Sequence, residues 1–330
     1  MRLLVTGAAG FIGSAFVRGR LERHPGDQVV VLDLLTYAGD RRNLDGLPVR
    51  LVEGDIGDLD LVERLLAEEQ IAAIVNFAAE SHNSLAVLDP SRFFRTNVLG
   101  TQTLLEAARR HGVSRFHHVS TCEVYGDLPL DEGEAFTEES PYRPRTPYSA
   151  SKAAADHAVR AYHETFGLPA TITNCANNYG SRQFPEKLIP LFVTNALDEL
   201  ELPLYAATQN RREWLHVDDH CSAIEAVLER GRPGETYNVG SGDERSIEQI
   251  ADLVLELTGK PGALKSIVPD RPGHDRRYLL DSSKLRRELG WEPTVPFEAG
   301  LRATVEWYAA NRAWWEPLKE RAPVRETAWT

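Results

Sequence analysis

Two short segments carry side chains whose types and spacing could do chemistry together. Ser120-Thr121-Cys122-Glu123-Val124-Tyr125-Gly126 follows a β-prone run, and Tyr148-Ser149-Ala150-Ser151-Lys152 sets a phenol and an ammonium four residues apart. On a helix, Tyr148 and Lys152 would share one face. A cationic neighbour favours the phenolate, so such a tyrosine can take a proton from an alcohol near neutral pH. The first segment places a hydroxyl, a thiol and a carboxyl at the end of a strand, which is where open α/β sheets bind their ligands.

These groups need a scaffold, and the start of the chain indicates which. Residues 2–6 are β-prone and run into Gly7-Ala8-Ala9-Gly10-Phe11-Ile12-Gly13, followed by a helical pattern to about residue 22. In such a strand–glycine turn–helix unit, Gly7 permits the turn, Gly10 lets the backbone approach a pyrophosphate and Gly13 allows close helix–strand packing. The next strand, 28–32, ends in Asp33. A carboxylate there binds both hydroxyls of an adenosine ribose and repels a 2′-phosphate, so the expected cofactor is NAD rather than NADP.

Strands follow at 48–53, 71–77, 116–119 and 170–173. Helices are expected at 59–69, at about 90–111 (carrying Asn97), and from Tyr148 to about residue 166. Asp55-Ile56 would lie beside an adenine. The alternation predicts an α/β fold: a Rossmann-type doubly wound parallel sheet covered on both faces. From Asn177 the pattern loosens into a smaller mixed α/β substrate-binding lobe. The expected division is 1–176 plus about 211–239 for the NAD-binding domain, and about 177–210 plus 240–330 for the lobe.

The 330 residues allow ample core, and the formal charge of −12 argues against a nucleic-acid partner. Small anionic ligands stay compatible with local arginine clusters. Cys122, Cys175 and Cys221 have neither metal spacing nor an even disulfide framework, so no metal is expected and a reducing cytoplasm is. No run approaches transmembrane length, and the first apolar run is too short for a signal peptide. No membrane association is expected.

Gly7 to Gly13, the stretch from Asp33 through Thr36-Tyr37-Ala38-Gly39, Ala79-Glu80-Ser81-His82, Tyr148 to Lys152, Glu186 to Pro190 and Gly273-His274-Asp275 together resemble the nucleotide-sugar 4,6-dehydratases, which are extended short-chain dehydrogenase/reductases. Within that group the chain is most similar to the dTDP-glucose 4,6-dehydratases. The resemblance spans essentially the whole chain. It implies that Tyr148 removes the hydroxyl proton at sugar C4, assisted by Lys152 and Thr121, while hydride passes to NAD. Glu123 would then take the C5 proton, the C6 hydroxyl would leave, and hydride would return to C6. The cofactor contacts expected are Gly7, Gly10, Phe11, Ile12, Gly13, Asp33, Leu34, Thr36, Asp55, Ile56, Ala78, Ala79, Asn97, Tyr148 and Lys152. For a dTDP- or UDP-hexose substrate they are Ser81, His82, Asn178, Glu186, Lys187, Leu188, Pro203, Tyr205, Asn210, Arg212, Arg271, His274 and Tyr278. Helices 90–111 and 147–166 are those that pair across a dimer in similar proteins, so a homodimer is expected.

The chain departs from the family pattern close to the sugar. Cys122 replaces the aspartate that protonates the departing C6 hydroxyl, and Asn83-Ser84-Leu85-Ala86 replaces Val-Asp-Arg-Ser. Asn174 replaces an arginine, and Ala206-Ala207-Thr208 a glycine-rich turn. A thiol, with a reference pKa near ~8.5, is a weaker acid than a carboxyl near ~3.9, yet it is protonated at neutral pH without help. The leading expectation is therefore an NAD-dependent nucleotide-hexose 4,6-dehydratase in deoxysugar or natural-product biosynthesis. The alternatives are a 5,6-dehydratase that returns hydride to C4 (such enzymes carry Thr-Cys-Glu here), a C4 or C5 epimerase, and a non-catalytic nucleotide-sugar binder.

Overall fold

The structure is a computed structural model that describes residues 1–131 and 133–322. Along the chain the strands are β1 (Arg2–Thr6), β2 (Gln28–Asp33), β3 (Val49–Glu53), β4 (Ala73–Asn76), β5 (Arg115–Thr121), β6 (Ala170–Cys175), β7 (Asn177–Tyr179), β8 (Leu202–Tyr205), β9 (Arg211–His216), β10 (Thr236–Val239), β11 (Glu244–Ser246) and β12 (Lys265–Val268). The α-helices are α1 (Phe11–Arg23), α2 (Leu59–Glu68), α3 (Asn83–Leu88), α4 (Pro90–Phe93), α5 (Thr101–Arg110), α6 (Pro147–Phe166), α7 (Leu188–Leu197), α8 (Val217–Arg230), α9 (Ile247–Thr258), α10 (Ser283–Leu289), α11 (Phe297–Ala310) and α12 (Arg312–Lys319).

Seven strands form one sheet in the order β10-β6-β5-β4-β1-β2-β3, every pair parallel. Its central strands are apolar runs with Leu3, Leu4, Val5 and Ile74 fully buried, as a sheet covered on both faces requires. One face packs on α2, α5 and α6 through Leu65, Leu104, Phe116 and Val159, the other on α1 and α8 through Phe16, Val17 and Ile224. The strand order reverses between β1 and β4, which opens a crevice at the carboxyl ends of the strands.

The second half builds a separate apolar core from Phe192, Trp214, Val254, Leu301 and Trp315. It contains a three-stranded sheet, β11-β9-β7, and the parallel pair β12-β8. Residues 211–216, expected with the first domain, instead pair in this small sheet, and the chain returns to the main sheet only from Val217 onward, through α8 and β10.

The single helix expected over 90–111 is interrupted. Asp89 separates α3 from α4, which opens on Pro90, and Phe94–Gly100 winds as a π-helix before α5. The wider turn lets Asn97 point inward. Its Oδ1 accepts from Glu80 N at 2.9 Å, and its Nδ2 donates to Glu80 O at 3.0 Å and Ser151 Oγ at 2.8 Å. The pattern of apolar residues carries no sign of this, because the cause is a polar side chain fastening the loop after β4 to α6.

Helix α1 aims its amino end at the crevice and is held at both ends. Gly7 has φ +68°, and a Cβ there would stand 2.6 Å from Ala78 N; one on Gly13 would stand 2.7 Å from Ala8 Cα. At the far end, buried Arg20 pairs with Asp27, Glu225 and Glu229, tying α1 to α8. Gly13→Ala should force α1 off the strand and cost about 1–3 kcal/mol, as overpacking does. Denaturant unfolding should register the loss, with Gly26→Ala, whose new Cβ meets nothing within 4 Å, near neutral.

Candidate active site

At the point of strand reversal lies a cleft of about 340 Å³ that joins the two predicted halves of the site. Gly7, Gly10, Phe11, Ile12, Gly13, Asp33, Leu34, Thr36, Asp55, Ile56, Ala78 and Ala79 line one part; Ser81, Thr121, Cys122, Glu123, Tyr148, Lys152, Asn178 and Lys187 line the other.

The first part fits a dinucleotide. Gly10 is the N-cap of α1 and offers no side-chain cap, so the first N–H groups of the helix stay free for an anion. Asp33 accepts from Ala9 N and Leu35 N, each at 2.8 Å, which fixes the carboxylate beside the glycine loop. A carboxylate has about four lone-pair sites, so two are left for hydroxyls. Asn97 is the exception among the expected cofactor contacts: it is fully buried behind the cleft wall and supports it through Glu80 and Ser151.

The chemical wall comes from two local structures. β5 ends at Thr121, whose Oγ1 accepts from Glu123 N at 3.3 Å and caps a short 3-10 turn over Cys122–Tyr125; this turns Cys122 and Glu123 into the cleft. Opposite, Thr146 caps α6 in a reciprocal box with Ser149, with Pro147 in the first turn, so Tyr148 and Lys152 face the same space one turn apart. Thr121 hydrogen-bonds the Tyr148 phenol, which favours its ionised form, but burial and then the Glu123 carboxylate push the phenol well above its ordinary range.

Lys152 is expected to lower the pKa of that phenol and to bind the nicotinamide ribose. In the structure its Nζ donates to Val119 O at 2.8 Å and meets His118 Nε2 at 3.2 Å. Burial brings its pKa down to about 8, with Asp156 opposing the fall. His118 Nδ1 lies 3.1 Å from Asn76 Nδ2, and its Nε2 lies 3.5 Å from Asp156 Oδ1. Asp156 in turn accepts from Ser120 Oγ and Tyr142 OH, both at 2.9 Å. The sequence reading missed this buried polar set. Its signal was His117-His118 in the middle of an apolar strand, since histidines are seldom fully buried without partners. His117 serves the sheet itself, bridging Thr171 and Thr173 of β6.

Cys122 is 2% exposed, and burial followed by the Glu123 charge pushes its thiol well above the usual range. Glu123 is also raised, chiefly by burial, while Arg271 and an Asn83 hydrogen bond pull the other way. Arg271 and Arg212 act on Glu123 through their charge. Arg212 and Tyr278, and Tyr205, His274 and Asn210, pack around the 274–275 backbone in a second cluster. The Tyr205 and His274 rings meet at 5.0 Å, and Arg212 lies 4.7 Å over the Tyr278 ring and donates to Asp275 O at 2.8 Å. Arg271 is buried with Nη1 lacking a partner, as an arginine waiting for an anion would be.

Three other expected contacts have structural partners instead. Glu186 takes the Tyr37 hydroxyl at 2.7 Å and stands 3.2 Å from His82 Nε2. Leu188 packs on the second core. Pro203 lies in β8, paired with Ser266 of β12. Among the described residues one His/acid group has ligand spacing, His24–Glu225–Glu229, and arginines 20 and 23 already hold its carboxylates. No described helix is long and apolar enough to cross a membrane.

A doubly wound sheet with a glycine loop, and a tyrosine and lysine one turn apart opposite a strand-end threonine, define an extended short-chain dehydrogenase/reductase. Residues 4–304 match the model of the GDP-mannose 4,6 dehydratase family, and the chain belongs to that family. It is 53% identical to the dTDP-glucose 4,6-dehydratase of Streptomyces niveus, over 97% of this chain and 96% of the relative. Identity to the Mycobacterium tuberculosis enzyme of the same name is 51%, over 98% of each. Among solved structures, DesIV, the dTDP-glucose 4,6-dehydratase of Streptomyces venezuelae solved with NAD bound, superimposes with a TM-score of 0.93 at 52% identity, covering 96% of this chain and all of that one. The UDP-glucose 4-epimerase of Thermus thermophilus, in complex with NAD, gives 0.88 at 35% identity, over 94% of this chain and 100% of that one.

Asp156 is the negative charge that raises Lys152, so its removal has a definite sign. In Asp156→Asn the Lys152 midpoint should fall below about 8, leaving the amine largely neutral at that pH. Lysine-selective NMR titration reads this directly. The same depression predicts that the Lys152 contribution to stability rises with pH between about 8 and the ordinary 10.5, where the unfolded chain binds a proton the folded chain has released.

Proposed function

We propose that this chain is an NAD-dependent dehydratase of a nucleotide-diphosphate hexose, with dTDP-glucose as the first substrate to test. One observation carries the reading: Thr121, Cys122, Glu123, Tyr148 and Lys152 share a single cleft with the glycine loop and Asp33. When bound, NAD supplies the acceptor for one hydride and later returns it. The chain's residues handle the protons.

Tyr148, with Thr121 on the same hydroxyl, takes the C4 hydroxyl proton and leaves a ketone. The ketone acidifies C5, because the electron pair of the C5–H bond can move into an enolate. Glu123 accepts that proton as a buried carboxylate. The C6 hydroxyl then departs as water with a proton from the Cys122 thiol or from a water molecule. Arg271 and Arg212 neutralise the pyrophosphate, which gives an acidic protein a local anion site. We further propose a cytoplasmic homodimer. Three free cysteines support the compartment, and exposed Phe94, Leu99 and Phe166 support an interface along the π-helix and α6.

A second reading has its own support. Thr121-Cys122-Glu123 is the order that nucleotide-sugar 5,6-dehydratases carry, and those enzymes return hydride to C4 after the same loss of the C6 hydroxyl, releasing a 5,6-ene. Proton and carbon NMR of the product in deuterated water separates the outcomes. A C6 methyl signal establishes 4,6-dehydration, vinylic signals the 5,6-ene, and no turnover of dTDP- or UDP-hexoses a binder. Cys122→Asp should raise the yield of the 6-deoxy-4-keto product. General acid help is typically worth about 10²–10⁴-fold, so a variant that makes less of this product would sink the assignment of Cys122.

A further inference from the structure

Asn83, the first residue of α3, faces Glu123 from the end of the β4 loop, yet it has no part in the steps above. Its Nδ2 stands 3.1 Å from Oε2 and 3.4 Å from Oε1 of Glu123. Its Oδ1 accepts from Thr146 Oγ1 at 3.2 Å. Thr146 Oγ1 accepts from Ser149 N, lies 3.0 Å from Ser149 Oγ, and reaches Asn83 Oδ1 with its own hydroxyl. The amide must then present its N–H₂ to the carboxylate; reversed, it would set oxygen against oxygen. Asn83 is the side-chain hydrogen-bond donor to Glu123 among the described residues. Arg271 and Arg212 add positive field, Asp275 opposes it, and Cys122, Tyr148 and Tyr278 adjoin the same carboxyl.

We propose that Asn83 is a positioning residue that holds Glu123 ionised and aimed at C5, in register with the start of the helix that carries Tyr148. The inference rests on the function proposed above. The step it serves breaks the C5–H bond, sends the electron pair into the enolate and delivers the proton to Glu123. Among the described residues the Asn83 side chain hydrogen-bonds Glu123 and Thr146 and neither Thr121 nor Tyr148, so it governs this step and not the removal of the C4 hydroxyl proton.

The holoenzyme with dTDP-glucose in deuterated water gives two separate readouts: a single-turnover burst of reduced nicotinamide absorbance for C4 oxidation, and deuterium entry at C5. Asn83→Val should slow C5 exchange by about 10–100-fold, the worth of a hydrogen bond to a charged group, while the burst persists. Loss of the donor raises the Glu123 pKa, so the acid limb of the exchange profile should move to higher pH. Asn83→Asp keeps the shape but sets a second carboxylate beside Glu123, and should slow exchange further and move the limb further. Equal loss of both steps with the limb unmoved, or unchanged exchange in both variants, would overturn the proposal. Absence of the burst in the unsubstituted enzyme would instead remove the substrate assignment, and the proposal with it.

Discussion

Where α6 begins decides what the site can do. Thr146 and Ser149 cap each other, with Thr146 Oγ1 accepting from Ser149 N at 3.1 Å and Ser149 Oγ accepting from Thr146 N at 3.0 Å. Pro147 supplies a preset φ at the first helical position, where its missing N–H costs nothing. The start of the helix is thus pinned to one residue. A slip of one residue would rotate the helix by about 100° and carry Tyr148 and Lys152 out of the cleft together. The same threonine reaches across to Asn83, so the cap also sets the distance between the helix and the wall at the end of β5.

Burial dominates the electrostatics of that wall. It pushes Tyr148, Cys122 and Glu123 toward their protonated forms and brings Lys152 down to about 8. Left alone, such a site would be neutral and inert. The opposing influences are few and directional: Arg271 and Arg212 on Glu123, Asp156 on Lys152, and the Thr121 hydrogen bond on Tyr148. Two of these are held by partners of their own, Arg212 by the backbone carbonyls of 275 and 276 and Asp156 by Ser120 and Tyr142. Low dielectric makes each of these charges count for more than it would in water, provided the geometry holds.

The contacts that set local backbone were legible in the sequence. Gly7 and Gly13 announced a turn and a close approach, Asp33 a strand end, and the Tyr148 segment a helix face. All of these stand where their spacing put them, because each depends on neighbours in the chain. What the sequence hid are partners far apart. Glu186 meets Tyr37 across 149 positions. The π-helix exists because Asn97 reaches Ser151, 54 residues on. β9 pairs with β7 and β11 through the core of the second lobe and not with the main sheet. Periodicity reports burial on one element, not which distant side chain supplies the hydrogen bond.

Cys122 and Asn83 sharpen the chemistry in opposite directions. An unassisted thiol in a buried wall keeps its proton, which weakens the push on the C6 oxygen. An amide on Glu123 stabilises the carboxylate, which makes the C5 base ready but somewhat less basic. Both leave C5 deprotonation intact and make expulsion of the C6 hydroxyl the harder half of the elimination. On the function proposed above, an enolate in this cleft would live longer than one faced by a carboxylic acid. Ser81, Asn178 and Lys187 line the same cleft as Cys122 and Glu123. On that reading the first oxidation depends on the Thr121, Tyr148 and Lys152 geometry that the capped helix fixes, and product identity on the Cys122–Glu123 wall opposite.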